Sequence, residues 1–192
     1  MNPAATTDLE ALRLRLKTIL RAQSVRTGEF TLVSGKKSDF YVDGKMTTLH
    51  PEGAYCVGRL VFERLRGRGL QAQGGLTLGA DPMAAAVAAV SHLEGEPLPA
   101  FIVRKEVKGH GTSKRVEGHL PAGARVAVVE DVTTTGGSAL QAVEAVRAAG
   151  GEVALVVTLV DRQEGGAENL RRAGIPFEAI FTRAEILETG AA

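Results

Sequence analysis

From Gly75 onward, short apolar runs alternate with helical patterns, and this rhythm limits the possible folds more than any other feature of the chain. "GGLTL" reads as a strand, "MAAAVAAVSHL" as a buried helix and "AFIV" as a second strand. "RVAVVE" is another strand, and "SALQAVEAVRAAGG" is a helix stopped at Gly150. "VALVVTLVD", "GAENLRRAG" and "FEAIF" give strand, short helix and last strand, with a turn of helix at "TRAEIL". Strands that are apolar throughout and separated by helices make βαβ units, with the strands parallel and both faces of the sheet covered. Ligands of such sheets bind at the carboxyl ends of the strands. The loops after Leu78, Val103, Glu130 and Val160 are therefore expected along one edge.

Upstream, Leu9, Leu12, Leu16 and Ile19 share a helical face, with Thr7 and Glu10 at capping-box spacing before it. "GEFTLVSGKKSDFYVDGKM" reads as two short strands around a Ser-Gly-Lys-Lys turn, and Pro51 to Arg66 as a helix. The 192 residues suit one domain, 44% hydrophobic and 23% charged. A net charge of +1 gives no global attraction for nucleic acid or an anionic membrane. The longest apolar runs, "MAAAVAAV" and "VALVVTLV", fall far short of the ~20 residues that span a bilayer. The N-terminus does not read as a signal peptide. Cys56 is the only cysteine, which excludes an internal disulfide and fits a reducing, cytoplasmic setting. It falls within an apolar helical pattern and is expected in the core. His50, His92 and His119 lack partners at metal-ligand spacing and read as structural or solvated.

"VAVVEDVTTTGGSAL", from Val126 to Leu140, joins an apolar strand to a helix through two acids and a row of hydroxyls and glycines. A helix N-terminus offers unpaired N–H groups and partial positive charge, which suit a phosphate. Thr133, Thr134, Thr135 and Ser138 add hydroxyl donors, and Gly136 and Gly137 allow close backbone approach. A phosphate alone gains nothing from two neighbouring acids. A phosphorylated sugar does, because Glu130 and Asp131 can accept hydrogen bonds from ribose hydroxyls. Neither a P-loop nor a G-x-G-x-x-G fingerprint occurs. The segment Arg104 to His119, "RKEVKGHGTSKRVEGH", is basic and nearly free of aliphatic residues. It is expected as a surface loop at the ligand edge, able to close over an anion.

"VVEDVTTTGGS" resembles the PRPP-binding motif of the type I phosphoribosyltransferases. "RKEVKGHG", the hood-like "GEFTLVSGKKSDFYVDGK" and "VDRQEGG" are similar to segments of the orotate phosphoribosyltransferases within that family. The resemblance implies an α/β fold: an open parallel sheet flanked by helices, one domain over residues 1–192, with a small N-terminal hood drawn mainly from residues 1–50. It implies transfer of ribose 5-phosphate from PRPP to orotate, giving orotidine 5′-monophosphate and pyrophosphate, with Mg²⁺ as cofactor. PRPP would be bound by Arg104, Lys105, Lys108, His110, Glu130, Asp131, Val132, Thr133, Thr134, Thr135, Gly136, Gly137 and Ser138. Lys105, Lys108, His110 and Asp131 would carry the catalytic roles. Orotate would meet Tyr41, Val42, Thr134 and Arg162. The resemblance further implies a homodimer in which the loop bearing Lys105 reaches the partner's site. Two departures stand out. Many members carry a lysine where this chain has Val33, and another in the turn that here reads Gly79 to Pro82. Backbone N–H groups of that turn, or Lys36, Lys37 or Lys45, are the available substitutes. The same fold acting on a purine, or serving as a PRPP-sensing nucleic-acid binder, are the alternatives.

Overall fold

The computed structural model describes residues 8–31, 37–106 and 114–188. Helix α1 (Leu9–Gln23) opens the chain. Strands β1 (Val25–Thr31) and β2 (Lys37–Val42) then form an antiparallel pair. Helices α2 (Lys45–Thr48) and α3 (Pro51–Leu65) lead into the larger sheet. That part comprises β3 (Ala72–Leu76), α4 (Ala80–Leu93), β4 (Ala100–Val103), β5 (Val116–Gly118), β6 (Arg125–Thr133), α5 (Gly137–Ala148), β7 (Glu152–Asp161), α6 (Gly166–Arg172), β8 (Phe177–Thr182) and α7 (Arg183–Leu187).

The six strands lie in the order β5-β4-β3-β6-β7-β8. All neighbours are parallel except β4 and β5. The expected parallel sheet is thus a mixed one. Its antiparallel member comes from the segment read as loop, where Val116 pairs with Val103 and Gly118 with Phe101. The chain leaves β4 and returns beside it, so a strand with little apolar content is held by backbone pairing to an already buried neighbour.

Sequence order reverses between β3 and β6: the chain builds outward from β3 on one side and from β6 on the other. Connections leave this pair in opposite directions, and a crevice opens at their carboxyl ends. Alternation along β6 sends Ala127 and Val129 into a core shared with α1, α3 and α4, and Val126 and Val128 into a second core under α5. The first core also takes Leu16, Leu20, Phe40 and Val42 from the N-terminal segment, so the hood is packed onto the sheet's own interior. Cys56 is buried in it.

Two caps differ from the sequence expectation. Asp8, not Thr7, closes α1, its carboxylate accepting from the N–H groups of Glu10 and Ala11 at 3.0 and 3.1 Å. Thr7 lies outside the described residues. A capping box does occur at α7, between Thr182 and Glu185. His50 proves structural: its Nδ1 accepts from the Gly53 N–H at 3.3 Å and caps α3.

Candidate active site

The site is built around the end of β6. That strand does not stop at Glu130, as the sequence rhythm implies, but runs on through Asp131 to Thr133. Pairing holds it there: Val132 and Thr133 register with Val160 and Asp161 of β7. Because side chains alternate along a strand, the adjacent acids face opposite ways. Glu130 continues the row of Val126 and Val128 toward α5, and Asp131 the row of Ala127 and Val129 toward α4 and the hood. Both are nearly buried, at 6% and 8% exposure.

Two adjoining cavities result. One, about 280 Å³, is lined by Glu130, Val132 and the run Thr133 to Ala139. Gly136, at the N-cap of α5, has φ 82°, and no side chain caps the helix. The first-turn N–H groups are therefore left to whatever enters, the arrangement that suits a phosphate. The second, about 310 Å³, is lined by Thr77, Leu78, Gly79, Lys105, Asp131 and Lys45, and shares Glu130, Val132 and Ser138 with the first. It lies at the β3/β6 reversal, where an open α/β sheet is expected to bind its ligand.

Asp131 is wedged between two backbones. A methyl group added at Gly79 would lie 2.3 Å from its Oδ1, and one at Gly44 would lie 2.8 Å from its Oδ2. Only glycine lets the start of α4 and the start of α2 close on the carboxylate this tightly. Sequence reasoning passed over Gly44 and read Gly79 only as part of a turn offering backbone N–H groups. Burial and the Asp131 carboxylate beside it push Glu130 up to about 8, against a weaker pull from Lys105. Burial also raises Asp131, opposed first by the ammonium of Lys45.

The expected residues are only partly gathered. Glu130, Asp131, Val132, Thr133, Thr134, Thr135, Gly136, Gly137, Ser138 and Lys105 line the paired cavities. Arg104 points elsewhere: its backbone N–H donates to Arg115 O at 2.9 Å, and its guanidinium meets Glu117 at 3.4 Å, tying it to the β4–β5 ribbon. Lys108 and His110 lie outside the described residues, as do Val33 and Lys36. Arg162 is buried beneath the hood, donating to Phe40 O at 3.0 Å and pairing with Glu164 at 2.7 Å. It thereby stands beside Tyr41 and Val42, whose strand it holds. Tyr41 is exposed and its ring meets Phe30 at 5.8 Å. Gln163 is the one non-glycine residue with positive φ among those described, at 57°. Its N–H donates to Asp161 Oδ1 at 2.8 Å, which fixes the bend between β7 and Arg162.

The hydroxyl-rich turn has a prop that the sequence pattern did not reveal. A Cβ on Gly166 would meet Thr133 Cγ2 at 2.4 Å and Thr134 O at 2.9 Å. Asn169 Nδ2 donates to Thr135 O at 2.8 Å. The "GG" doublet after "RQE" was the available signal. A larger hollow of about 700 Å³ lies between β5 and α5, lined by residues such as Val116, Leu120 and Ala148. It takes the second half of the basic segment, Lys114 to Gly118, but none of the residues expected to bind PRPP or orotate.

Comparison with known proteins agrees with this geometry. Residues 73–173 match the phosphoribosyl transferase domain. The orotate phosphoribosyltransferase of Nostoc sp. is 51% identical over 93% of this chain and 86% of its own length. Among solved structures, Mycobacterium tuberculosis orotate phosphoribosyltransferase in complex with Fe(III) dicitrate superposes with a TM-score of 0.81 at 43% identity, covering 92% of this chain and 99% of that one. The same enzyme in complex with 5-phospho-alpha-D-ribosyl 1-diphosphate (PRPP) gives 0.77 at 40% identity, covering 91% and 98%.

Proposed function

The chain belongs to the phosphoribosyltransferase family, among the orotate phosphoribosyltransferases, and from that premise we propose how its residues divide the reaction. The activity is transfer of ribose 5-phosphate from PRPP to orotate, yielding orotidine 5′-monophosphate and pyrophosphate. The observation that carries the assignment of roles is the pair of acids set on opposite faces of β6 beside an uncapped helix N-terminus.

The 5′-phosphate sits at the start of α5, held by backbone N–H groups of Gly136 and Gly137 and the hydroxyls of Thr133, Thr134, Thr135 and Ser138. Glu130 and Asp131 take the ribose hydroxyls. Near neutral pH Glu130 holds a proton, so it can donate as well as accept, while Asp131, nearer Lys45, accepts. Breaking the bond at C1 puts positive charge on the sugar and negative charge on the leaving pyrophosphate. Fixed carboxyls under the sugar and fixed cations beside the leaving group need no reorganisation at that moment. Lys105 lines the cavity and serves the pyrophosphate with Lys108 and His110; Arg104 joins them by leaving Glu117, a solvated pair at 3.4 Å. Arg162, Tyr41, Val42 and Thr134 frame orotate, whose anionic charge gives a buried guanidinium its use.

Among the described residues no group of three His, Cys, Asp or Glu could hold a metal. Two carboxylates beside a phosphate site nevertheless fit Mg²⁺, which is commonly held through substrate phosphates and one or two carboxylates. Asp131 would meet it, and Glu130 would join on releasing its proton; bound there, the ion would neutralise the pyrophosphate. The working enzyme is a homodimer of the cytoplasm; Lys105 lines its own subunit's cavity in the single chain, and in the dimer the loop that carries it serves the partner's site. No described helix is long and apolar enough to cross a membrane.

A base panel tests the reading. Wild type and Arg162→Ala are incubated with PRPP, Mg²⁺ and orotate, uracil, adenine or hypoxanthine, and pyrophosphate release is followed. Orotate alone should turn over in the wild type. In the variant the orotate KM should rise by at least ~10-fold, a buried charge-assisted bond being worth about 1.5–3 kcal/mol, with the PRPP KM far less affected. Equal effects on both substrates would mean that Arg162 shapes the loop rather than reading the base.

A further inference from the structure

One wall of the second cavity, the turn from Thr77 to Pro82, carries no cation. Its side chains near the site are Thr77, whose hydroxyl donates to Asp81 Oδ2 at 2.7 Å, and the exposed Leu78. Among the described residues, the cationic side chains lining this cavity are Lys105, from the core edge, and Lys45, from the hood. Lys37 lies on β2, paired in register with Thr31, and lines neither cavity.

Lys45 is held in place by its backbone. The residue before it, Gly44, packs so closely on Asp131 that an added Cβ would lie 2.8 Å from that side chain. Asp43 on its other flank is anchored, its N–H donating to Ser24 O at 3.0 Å. The stem therefore starts from a fixed point at the cavity wall. Its ammonium is 2.6 Å from Asp43 Oδ1 and the side chain is 44% exposed, so this is a half-solvated pair. Such pairs are worth little, in the range of about 0–1 kcal/mol. A four-carbon stem can swing its charge from one anion to a stronger one within reach. A pyrophosphate entering this cavity carries more negative charge than one aspartate.

We infer that Lys45 is a PRPP-binding residue, passing from Asp43 to the pyrophosphate and supplying from the hood the cation that the Thr77–Pro82 turn does not provide. The inference rests on reading this cavity as the PRPP site. It also links hood to leaving group: the element that covers the base contributes charge to the other substrate.

The test compares Lys45→Met, which keeps the stem and removes the charge, with Lys45→Arg, which restores it, in the full enzyme. Initial rates give KM for PRPP and orotate separately. Calorimetry measures binding of inorganic pyrophosphate with Mg²⁺, and thermal melting checks the fold. Lys45→Met should raise the PRPP KM and weaken pyrophosphate binding at least ~10-fold, with the orotate KM within about threefold. Lys45→Arg should recover most of both. A melting shift with both KM values moving together, or unchanged pyrophosphate binding, would overturn the inference and leave Lys45 as a structural partner of Asp43. Asp131→Asn, run alongside, separates the two levels. If it cripples turnover while Lys45→Met does nothing, the Lys45 inference alone falls. If Asp131→Asn is also harmless, the reading of the cavity falls with it.

Discussion

Glu130 sits where ionisation is costly. It is nearly out of water, beside a second carboxyl, with one atom, Oε2, lacking a hydrogen-bond partner. The fold accepts that cost at the wall of a cavity, where β6 carries Glu130 past the last residues of its buried row. A measurable pH effect follows. With Glu130 raised from 4.5 to about 8, the native state holds a proton that the unfolded chain releases. Stability from this group is full below about 4.5 and is lost as pH rises through about 8. At ~1.4 kcal/mol per pH unit that interval is worth several kcal/mol. Glu130→Gln mimics the protonated form. It should melt like wild type at pH 5 and at a clearly higher temperature at pH 9, in the absence of substrate. Parallel melting curves across that range would show that Glu130 ionises freely. Residue identities such as these were legible in the sequence: both acids and the hydroxyl row were singled out there, and the structure lines the two cavities with them. Their opposite facing was not, because the acids look like the end of a strand until pairing with β7 is known to carry β6 through to Thr133.

Among the elements, β6 and α5 form the site and α6 holds it in shape. The turn between Thr133 and Gly136 rests on Gly166 and on the Asn169 amide, so its geometry depends on a helix that lines neither cavity. Gly166→Ala would drive a methyl into Thr133 and the Thr134 carbonyl. A displacement of about 1 Å at such a turn can cost ~10²-fold in rate. The expected result is a fall of that order in kcat/KM for PRPP with the protein still folded. Gly174→Ala is the control: it places a side chain at positive φ, 72°, where Gly166 has none, and meets nothing within 4 Å. Its stability should drop while its PRPP kinetics stay near wild type; equal kinetic losses in the two variants would deny α6 this role. Most of the helices and strands were readable from periodicity, though the four-residue α2 was not. β5 was not, since Val-Glu-Gly has no pattern and is a strand only because β4 pairs with it. Nor was the support from α6, because a Gly-Gly doublet signals close approach without naming what approaches.

For the whole molecule, the strand order decides where chemistry can occur, and it brings β3, β4 and β6 loops to one opening. Lys105 leaves that opening from β4, at the root of the segment whose ends are tied by Arg104 N to Arg115 O at 2.9 Å. If the loop serves a neighbouring subunit, two defective enzymes should repair each other. Asp131→Asn lacks its own ribose contact, and Lys105→Ala lacks the lysine that it lends. In a mixed dimer the Lys105→Ala subunit keeps Asp131 and receives an intact Lys105. Activity after subunit exchange should rise well above either parent. No recovery, with exchange confirmed by mass, would return Lys105 to its own subunit.

The two outer strands of the larger sheet carry a consequence of another kind. An unpaired strand edge invites a second chain to add to it, the first step of aggregation. Here β5 is three residues long, carries Glu117, and ends at Gly118 with φ 88°, which breaks any continuing ladder. At the opposite edge, β8 has its Ile180 carbonyl taken by the Arg13 guanidinium at 3.1 Å, while the same group covers the Phe181 ring at 4.5 Å. A sheet whose central strands are among the most apolar stretches of the chain is thus made a poorer template at both ends, one by brevity and charge, the other by an arginine from the hood that takes one edge carbonyl.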